Sequence, residues 1–330
     1  LNLPKSIVVT GATGFVGRAL VEKLQGNSDY KLTLLVRKKV DCFLSGVDQV
    51  VVPSEKPFQR PLSISKGATV IHLAGRAHIL DEKSERPLHE FRLVNVEATI
   101  DLARQAMEAG AKRFIFVSSI GVNGSVTYSA PFNEDAAPQP HADYAVSKLE
   151  AECALRALVE KGSMELVVIR PPLVYAANAP GNYQRLMRLV SKGLPLPFGA
   201  IKNLRSLISL ENLVDFICLC IEHPAAANEL FLVSDIRPVS TSEMITALAQ
   251  GMGLKPRLIS VPDFLLRTGA RIFRKQSTYT QLCGSLVIDS SKARNLLGWT
   301  PPISVIDALR QSGRKYIMQK SEMSKHGRVL

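Results

Sequence analysis

The run Lys5-Ser-Ile-Val-Val-Thr-Gly-Ala-Thr-Gly-Phe-Val-Gly17 narrows the possible folds more than any other stretch of this chain. Ile7 to Thr10 is β-branched and reads as a buried parallel strand. Gly11, Gly14 and Gly17 follow, and Arg18 to Leu24 has the pattern of a helix. A strand that passes through glycines into a helix brings bare backbone N–H groups to a helix N-terminus, where a phosphate can approach. The spacing is G-x-x-G-x-x-G, and a tight structural turn without a ligand is the plain alternative.

Lys31 to Val36 reads as the second strand, and it ends at Arg37-Lys38-Lys39. An acid at this strand end accepts hydrogen bonds from the adenosine ribose of NAD, whereas a guanidinium pairs with the 2′-phosphate of NADP. Arg37 therefore favours NADP(H), with NAD kept as possible. The bland alternative is an arginine that caps a strand and faces solvent.

Strands are expected at 49–52, 69–74, 112–118 and 165–170, alternating with helices within 84–109 and over 141–161. That alternation argues for βαβ units and a parallel sheet. Helices are also expected over 183–192, 210–221, 241–251, 263–273, 290–297 and 304–316, with a short strand at 230–233. The expected architecture is α/β: a doubly wound parallel sheet over residues 1–175, with segments returning from the second half. A smaller mixed lobe over 176–330 carries a basic tail at 314–330.

Net charge is +12. The tail supplies part of the excess, and a frayed, solvated end is the simple reading. The sharper readings are a polyanionic ligand or weak attraction to an acidic membrane surface. No basic helix is interleaved with aromatics, which argues against nucleic-acid binding. No apolar run reaches the ~18 residues of a membrane span, so a cytoplasmic location is expected. The five cysteines lack metal-ligand spacing and read as reduced thiols. The six histidines share no such spacing either, so no metal is expected.

Tyr144-Ala-Val-Ser-Lys148 places a phenol and an ammonium four residues apart on one helix face. A nearby ammonium lowers a phenol's pKa from about 10 and makes it a usable general acid or base. The fifth strand ends at Ser118-Ser119, where a hydroxyl can hydrogen-bond the oxygen that Tyr144 protonates or deprotonates. Tyr144, Lys148 and Ser119 are thus the candidate catalytic set.

These residues, with His72-Leu-Ala74, Asn95, Arg170-Pro171, Arg205-Ser206, Leu210 to Asp215 and Leu297 to Pro301, are where the chain resembles a known family. It is similar to the extended short-chain dehydrogenase/reductases that act on nucleotide sugars, over roughly residues 5 to 310. The resemblance implies a Rossmann domain for the dinucleotide and a second lobe for a nucleoside diphosphate. It assigns the catalytic serine to Ser119. It implies cofactor contacts at Gly11, Thr13, Gly14, Phe15, Val16, Leu73, Ala74, Gly75, Asn95, Ser118, Pro171 and Val174, besides Arg37, Tyr144 and Lys148. Asn95 is expected to fix a water or backbone near Lys148, or else to make a helix-interior bond.

Ile120-Gly121 after Ser119 lacks the Asp-Glu pair usual in sugar dehydratases and the Glu usual in decarboxylating relatives. That leaves reductases and epimerases. Within the family the chain resembles most closely the bacterial reductases of UDP-4-keto-6-deoxy-N-acetylhexosamines used in O-antigen and other surface polysaccharide synthesis. The expected activity is NADPH-dependent reduction of such a 4-keto sugar. The alternatives are a UDP-sugar 4-epimerase that retains NAD and, from another class, a non-catalytic dinucleotide-sensing protein. His78, Asn182, Lys192, Leu196 to Phe198 and Arg205 are candidates for the UDP-sugar. In that reading Arg205 pairs with the diphosphate and Phe198 packs on a uracil; ordinary surface or packing is the alternative for each. Trp299 is expected in the core. Relatives are often dimers through the Tyr-Lys helix, so a homodimer is possible.

Overall fold

The structure, a computed structural model, describes residues 4–326 except 42, 44–45, 55–56 and 77–85. Strand β1 (Lys5–Thr10) runs into helix α1 (Phe15–Leu24), followed by β2 (Tyr30–Val36), β3 (Asp48–Val51) and β4 (Thr69–His72). Helix α2 (Pro87–Arg92) passes through one π-helical turn, Leu93–Glu97, into α3 (Ala98–Glu108). Then come β5 (Arg113–Val117), α4 (Asp143–Val159), β6 (Glu165–Arg170), β7 (Leu173–Tyr175), α5 (Asn182–Ser191), β8 (Leu207–Ser209) and α6 (Leu210–Glu222). The chain closes with β9 (Leu230–Leu232), α7 (Thr241–Gly251), α8 (Asp263–Ile272), α9 (Gln276–Cys283), α10 (Ser291–Leu297) and α11 (Val305–His326).

Seven strands form one parallel sheet in the order β3-β2-β1-β4-β5-β6-β9. The order reverses between β1 and β4, and ligands of open α/β sheets bind at such a switch point, beyond the strands' C-terminal ends. Both faces of the sheet are covered, so its strands are apolar almost throughout. Ile7 and Val9 of β1 join Leu20, Val21 and Leu24 of α1, Leu213 and Ile217 of α6, and Trp299. Val8, facing the other way, joins Leu102 and Ala106 of α3, and Ala151 and Leu155 of α4. The indole N–H of Trp299 donates to Asp215 at 2.9 Å, so this ring is buried with its polar group satisfied.

The second half builds its own core from α5, α7 and α11 around Tyr183, Met187, Leu248 and Leu309. It also sends α6 and β9 back to the sheet. Strands β7 and β8 pair with each other. Asp235 joins them to α6: it accepts from the hydroxyl of Tyr175 and from the side-chain amide of Asn212, each at 2.7 Å.

Four elements depart from the sequence reading. Strands β7 and β8 have three residues each, too short to show a period. Helix α9 is polar along most of its length and buries nothing. Finally, 314–326 is helical, because Tyr316 and Ile317 pack against the second core and carry α11 onward. That corrects the expected frayed tail as far as His326.

Helices α7 and α11 approach so closely that a Cβ at Gly251 would lie 2.1 Å from the Arg310 carbonyl oxygen. One at Gly313 would lie 2.4 Å from that of Leu248. Alanine in place of helical glycine ordinarily gains up to about 1 kcal/mol, but overpacking costs about 1–3 kcal/mol. Gly251→Val, which adds bulk without alanine's propensity, is therefore expected to destabilise the chain by about 2 kcal/mol or more, read as a lowered urea midpoint.

Candidate functional site

The glycine turn fits a dinucleotide phosphate by shape. Gly11 has φ +69, and a Cβ there would lie 2.6 Å from the amide nitrogen of Ala74 at the end of β4. A Cβ at Gly17 would lie 2.1 Å from the Gly11 carbonyl oxygen. Side chains are thus excluded from the switch point, and β1, α1 and β4 close to backbone contact. Helix α1 opens at Gly14 with no side chain capping it, while Thr13 and Gly14 are exposed. Its first-turn N–H groups point where an anion can accept from them. Phe15, Val16, Leu73 and Ala74 are half-buried around this opening, and Gly75 is exposed. Arg37 is exposed one residue past β2. Pro171 is buried with its carbonyl accepting from the Ile120 N–H at 3.0 Å, and Val174 is half-buried against the first core.

Beside the turn lies a buried polar chain. The Thr99 hydroxyl spends its proton on the Asn95 carbonyl at 2.8 Å, so it accepts from Nε2–H of His72 at 2.9 Å. That leaves Nδ1 of His72 to accept from the Thr10 hydroxyl at 2.7 Å, while Thr10 in turn accepts from the Ala74 N–H at 3.2 Å. Burial, then the charge of Lys148, pushes the His72 pKa down to about 3, so the ring is neutral.

Asn95 lies on the π-helical turn and is buried. Its Oδ1 accepts from the Arg76 N–H at 2.8 Å, and its Nδ2 donates to the Arg76 carbonyl at 3.1 Å and to Ser147 Oγ at 3.0 Å. Of its expected roles, this is the backbone one. Asn95 thus holds the turn after β4 against α4.

Helix α4 presents Tyr144, Ser147 and Lys148 in its first two turns. Lys148 is buried. Its ammonium donates to the Val117 carbonyl at 2.9 Å and stands 4.4 Å from the centre of the Phe116 ring. A Cβ at Gly75 would lie 3.5 Å from that nitrogen, which places the cation beside the switch point. Burial lowers the Lys148 pKa to about 8, and Glu152 opposes that shift. The Tyr144 ring meets Phe91 edge-on at 6.1 Å. Burial pushes its phenol up to about 12, which corrects the expected lowering by Lys148. Without a ligand, desolvation sets the phenol's value, because it penalises the charged form.

Ser119 caps a short 3₁₀ turn, its Oγ accepting from the Gly121 N–H at 3.1 Å. The hydroxyl of its neighbour Ser118 is buried and donates to Glu152. Glu152 is ion-paired with Arg170, and Arg170 also donates to Asn123 at 2.9 Å. Ser147, Glu152, Arg170 and Asn123 act behind the site and went unread as a group. Ser147 stands inside the Tyr-Lys spacing itself, and a charged residue one turn beyond Lys148 was the available signal for Glu152.

Of the second-half candidates, Asn182 and Arg205 both reach the C-terminal end of α9, while Leu196 and Phe198 pack on the second core. Leu196 is buried in the second core and pairs in a β-bridge with Leu258. Phe198 packs against the same core, and its carbonyl accepts from Ser242. Asn182 is half-buried and donates to Gln281. Arg205 is half-buried and donates to the Gly284 carbonyl at 3.0 Å, and burial lowers its pKa. Lys192 is exposed. His78 and Cys42 lie outside the described residues. Among the described residues no group of side chains could hold a metal, and no helix is long and apolar enough to cross a membrane.

Against known proteins, a family model described as the NAD dependent epimerase/dehydratase family matches residues 7–233. A Vibrio cholerae protein named UDP-glucose 4-epimerase is 43% identical over 321 residues, covering 96% of this chain and 97% of its own length. A ceramide reductase of Caulobacter vibrioides is 31% identical, covering 89% and 86% of the two chains. Among solved structures, a UDP-glucose 4-epimerase of Thermotoga maritima with UDP-glucose superposes with a TM-score of 0.76 at 21% identity, over 96% of this chain and 99% of that one.

Lys148 gives the ligand-free chain a pH signature. Between its folded value of about 8 and its ordinary value of 10.5, the unfolded chain holds a proton that the folded chain does not. Stability is therefore expected to rise from pH 8 to pH 10. Lys148→Met should lack that rise in urea titrations at the two pH values; equal slopes would refute the assignment.

Proposed function

This chain belongs to the NAD dependent epimerase/dehydratase family, and from that premise we propose that it moves a hydride between a nicotinamide dinucleotide and carbon 4 of a nucleotide-linked sugar. The direction we infer is reduction, by NADPH, of the 4-keto group of a UDP-linked 2-acetamido-2,6-dideoxy-4-hexulose, in the cytoplasm and toward surface polysaccharide. The observation that carries the direction is Arg37, a cation at the end of β2 where an NAD-retaining enzyme would carry an acid.

In this reading residues 1–175 hold the dinucleotide and 176–330 the nucleoside diphosphate. The bound dinucleotide supplies the hydride. Tyr144, whose phenol is pushed up to about 12 and so keeps its proton at neutral pH, donates to the oxygen on which charge develops. Ser119 Oγ orients that oxygen. Lys148 carries its positive charge below about pH 8 and favours the phenolate left behind. Arg205 has guanidinium N–H groups beyond the one spent on Gly284, and these serve the diphosphate.

A second reading, a 4-epimerase that returns the hydride to the same substrate, is favoured by the 43% identical relative. It needs Tyr144 to begin as the base, and so asks the bound ligand to lower the phenol's pKa.

Purified protein separates the two. The reductase releases no NAD on denaturation and oxidises NADPH only when a UDP-4-keto sugar is added. The epimerase releases bound NAD and interconverts UDP-sugars without net oxidation. Dinucleotide binding without either turnover would overturn both and favour a sensor. Tyr144→Phe should lower kcat at least about 100-fold, the scale of a lost general acid, while sparing dinucleotide affinity; retained turnover would sink the mechanism. Arg37→Asp should weaken NADPH binding by about tenfold or more while changing NADH binding little, the loss of one charge-assisted pair. Equal effects on both would remove the 2′-phosphate contact.

A further inference from the structure

Helix α8 buries no residue, and neither does α9. On α8 and just past it, Phe264 is 65% exposed, Leu265 50%, Ile272 71% and Phe273 73%. Large apolar side chains this open and this close together are uncommon on a soluble surface without a partner. On a 100° wheel the half-buried Leu266, Gly269 and Ala270 share the inner side of α8. The outer side presents Phe264 beside Arg271, with Arg267 along one flank and Leu265 and Ile272 along the other. Arg274 and Lys275 follow at the turn into α9. From Lys255 to Lys275 the chain carries six cations and one carboxylate, Asp263. That carboxylate is engaged, accepting from the Tyr279 hydroxyl at 2.7 Å.

We propose that the α8–α9 hairpin docks on an anionic lipid bilayer, lying in its interface with Phe264, Leu265 and Ile272 inserted among the headgroups. Apolar side chains beside a row of arginines on a short exposed helix are what an interfacial element needs: the first gain from leaving water, the second from negatively charged lipid. A second copy of this chain is the wrong occupant on charge. A two-fold contact of this face with itself would set each cluster of cations against its own duplicate, within a chain already at +12.

The docked hairpin would also set where the second half works. Its C-terminal end is tied to the candidate ligand residues: Gln281 accepts from Asn182, and the Gly284 carbonyl accepts from Arg205 at 3.0 Å and from Asn203 at 2.9 Å. A bilayer against α8 therefore stands one hairpin away from those side chains.

The test is co-sedimentation of the full chain with phosphatidylcholine vesicles, with and without phosphatidylglycerol, and light scattering of the protein alone. Binding is expected only with phosphatidylglycerol present and should weaken as salt screens it. Phe264→Ser with Ile272→Ser should lower partitioning about tenfold or more, and Arg271→Gln about fivefold, the scale of one basic residue at an anionic surface. Both variants should keep dinucleotide binding and the wild-type mass in solution. No binding to anionic vesicles, equal binding to neutral ones, or variants that bind as wild type would overturn the proposal. So would a wild-type dimer that the double variant splits, since the face would then belong to a second copy. Vesicle binding is read without substrate, so it stands or falls apart from the reaction assigned above.

Discussion

An ion pair with almost no access to water, Glu152 on α4 with Arg170 at the end of β6, holds the chemistry-bearing elements in register. Glu152 also accepts from Ser118 at the end of β5, and Arg170 reaches Asn123 in the turn that Ser119 caps. One carboxylate thus fixes the helix of Tyr144 and Lys148 against the strand end of Ser119. Removing one partner from a buried pair costs about 3–5 kcal/mol, because the survivor is left charged and dry. Most of that penalty buys geometry and little of it net stability, since apolar groups of similar volume often hold a fold as well.

Charge near the switch point is correspondingly sparse. His72 is neutral, and both its ring nitrogens are bound to threonine hydroxyls. Lys148 is a buried cation there, supported by a carbonyl and an aromatic face, and Arg76 stands over the Phe91 ring nearby. Beside it the N-terminus of α1 adds partial positive charge without a side chain. A ligand carrying a pyrophosphate meets backbone donors first and the ammonium next. Tyr144 stays protonated until such a ligand changes the balance of burial and charge around it.

The sheet and its glycine turn were legible because each is a local pattern: β-branched runs, glycines at close intervals, and a Tyr-Lys pair on one helix face. What escaped depends on partners far away in sequence. Ser118 and Ser119 are adjacent and chemically identical, and only Glu152 on another helix decides which of them turns inward. Asn95 needs a π-helical turn to aim both ends of its amide, and one extra residue in a helix leaves no trace in hydrophobic spacing. The phenol of Tyr144 was expected to be acidified by its neighbour, since spacing reports proximity but not desolvation. Leu196 looked like a ligand contact in a Pro-rich stretch, yet it fills the second core.

The glycine crossing of α7 and α11 separates two kinds of freedom. Backbone there meets backbone, so the second half is braced without side chains that a ligand would also need. Tyr144, Lys148 and Ser119 lean on a different network, within β5, α4 and β6. Side chains outside both networks can therefore change while the two braces stay put.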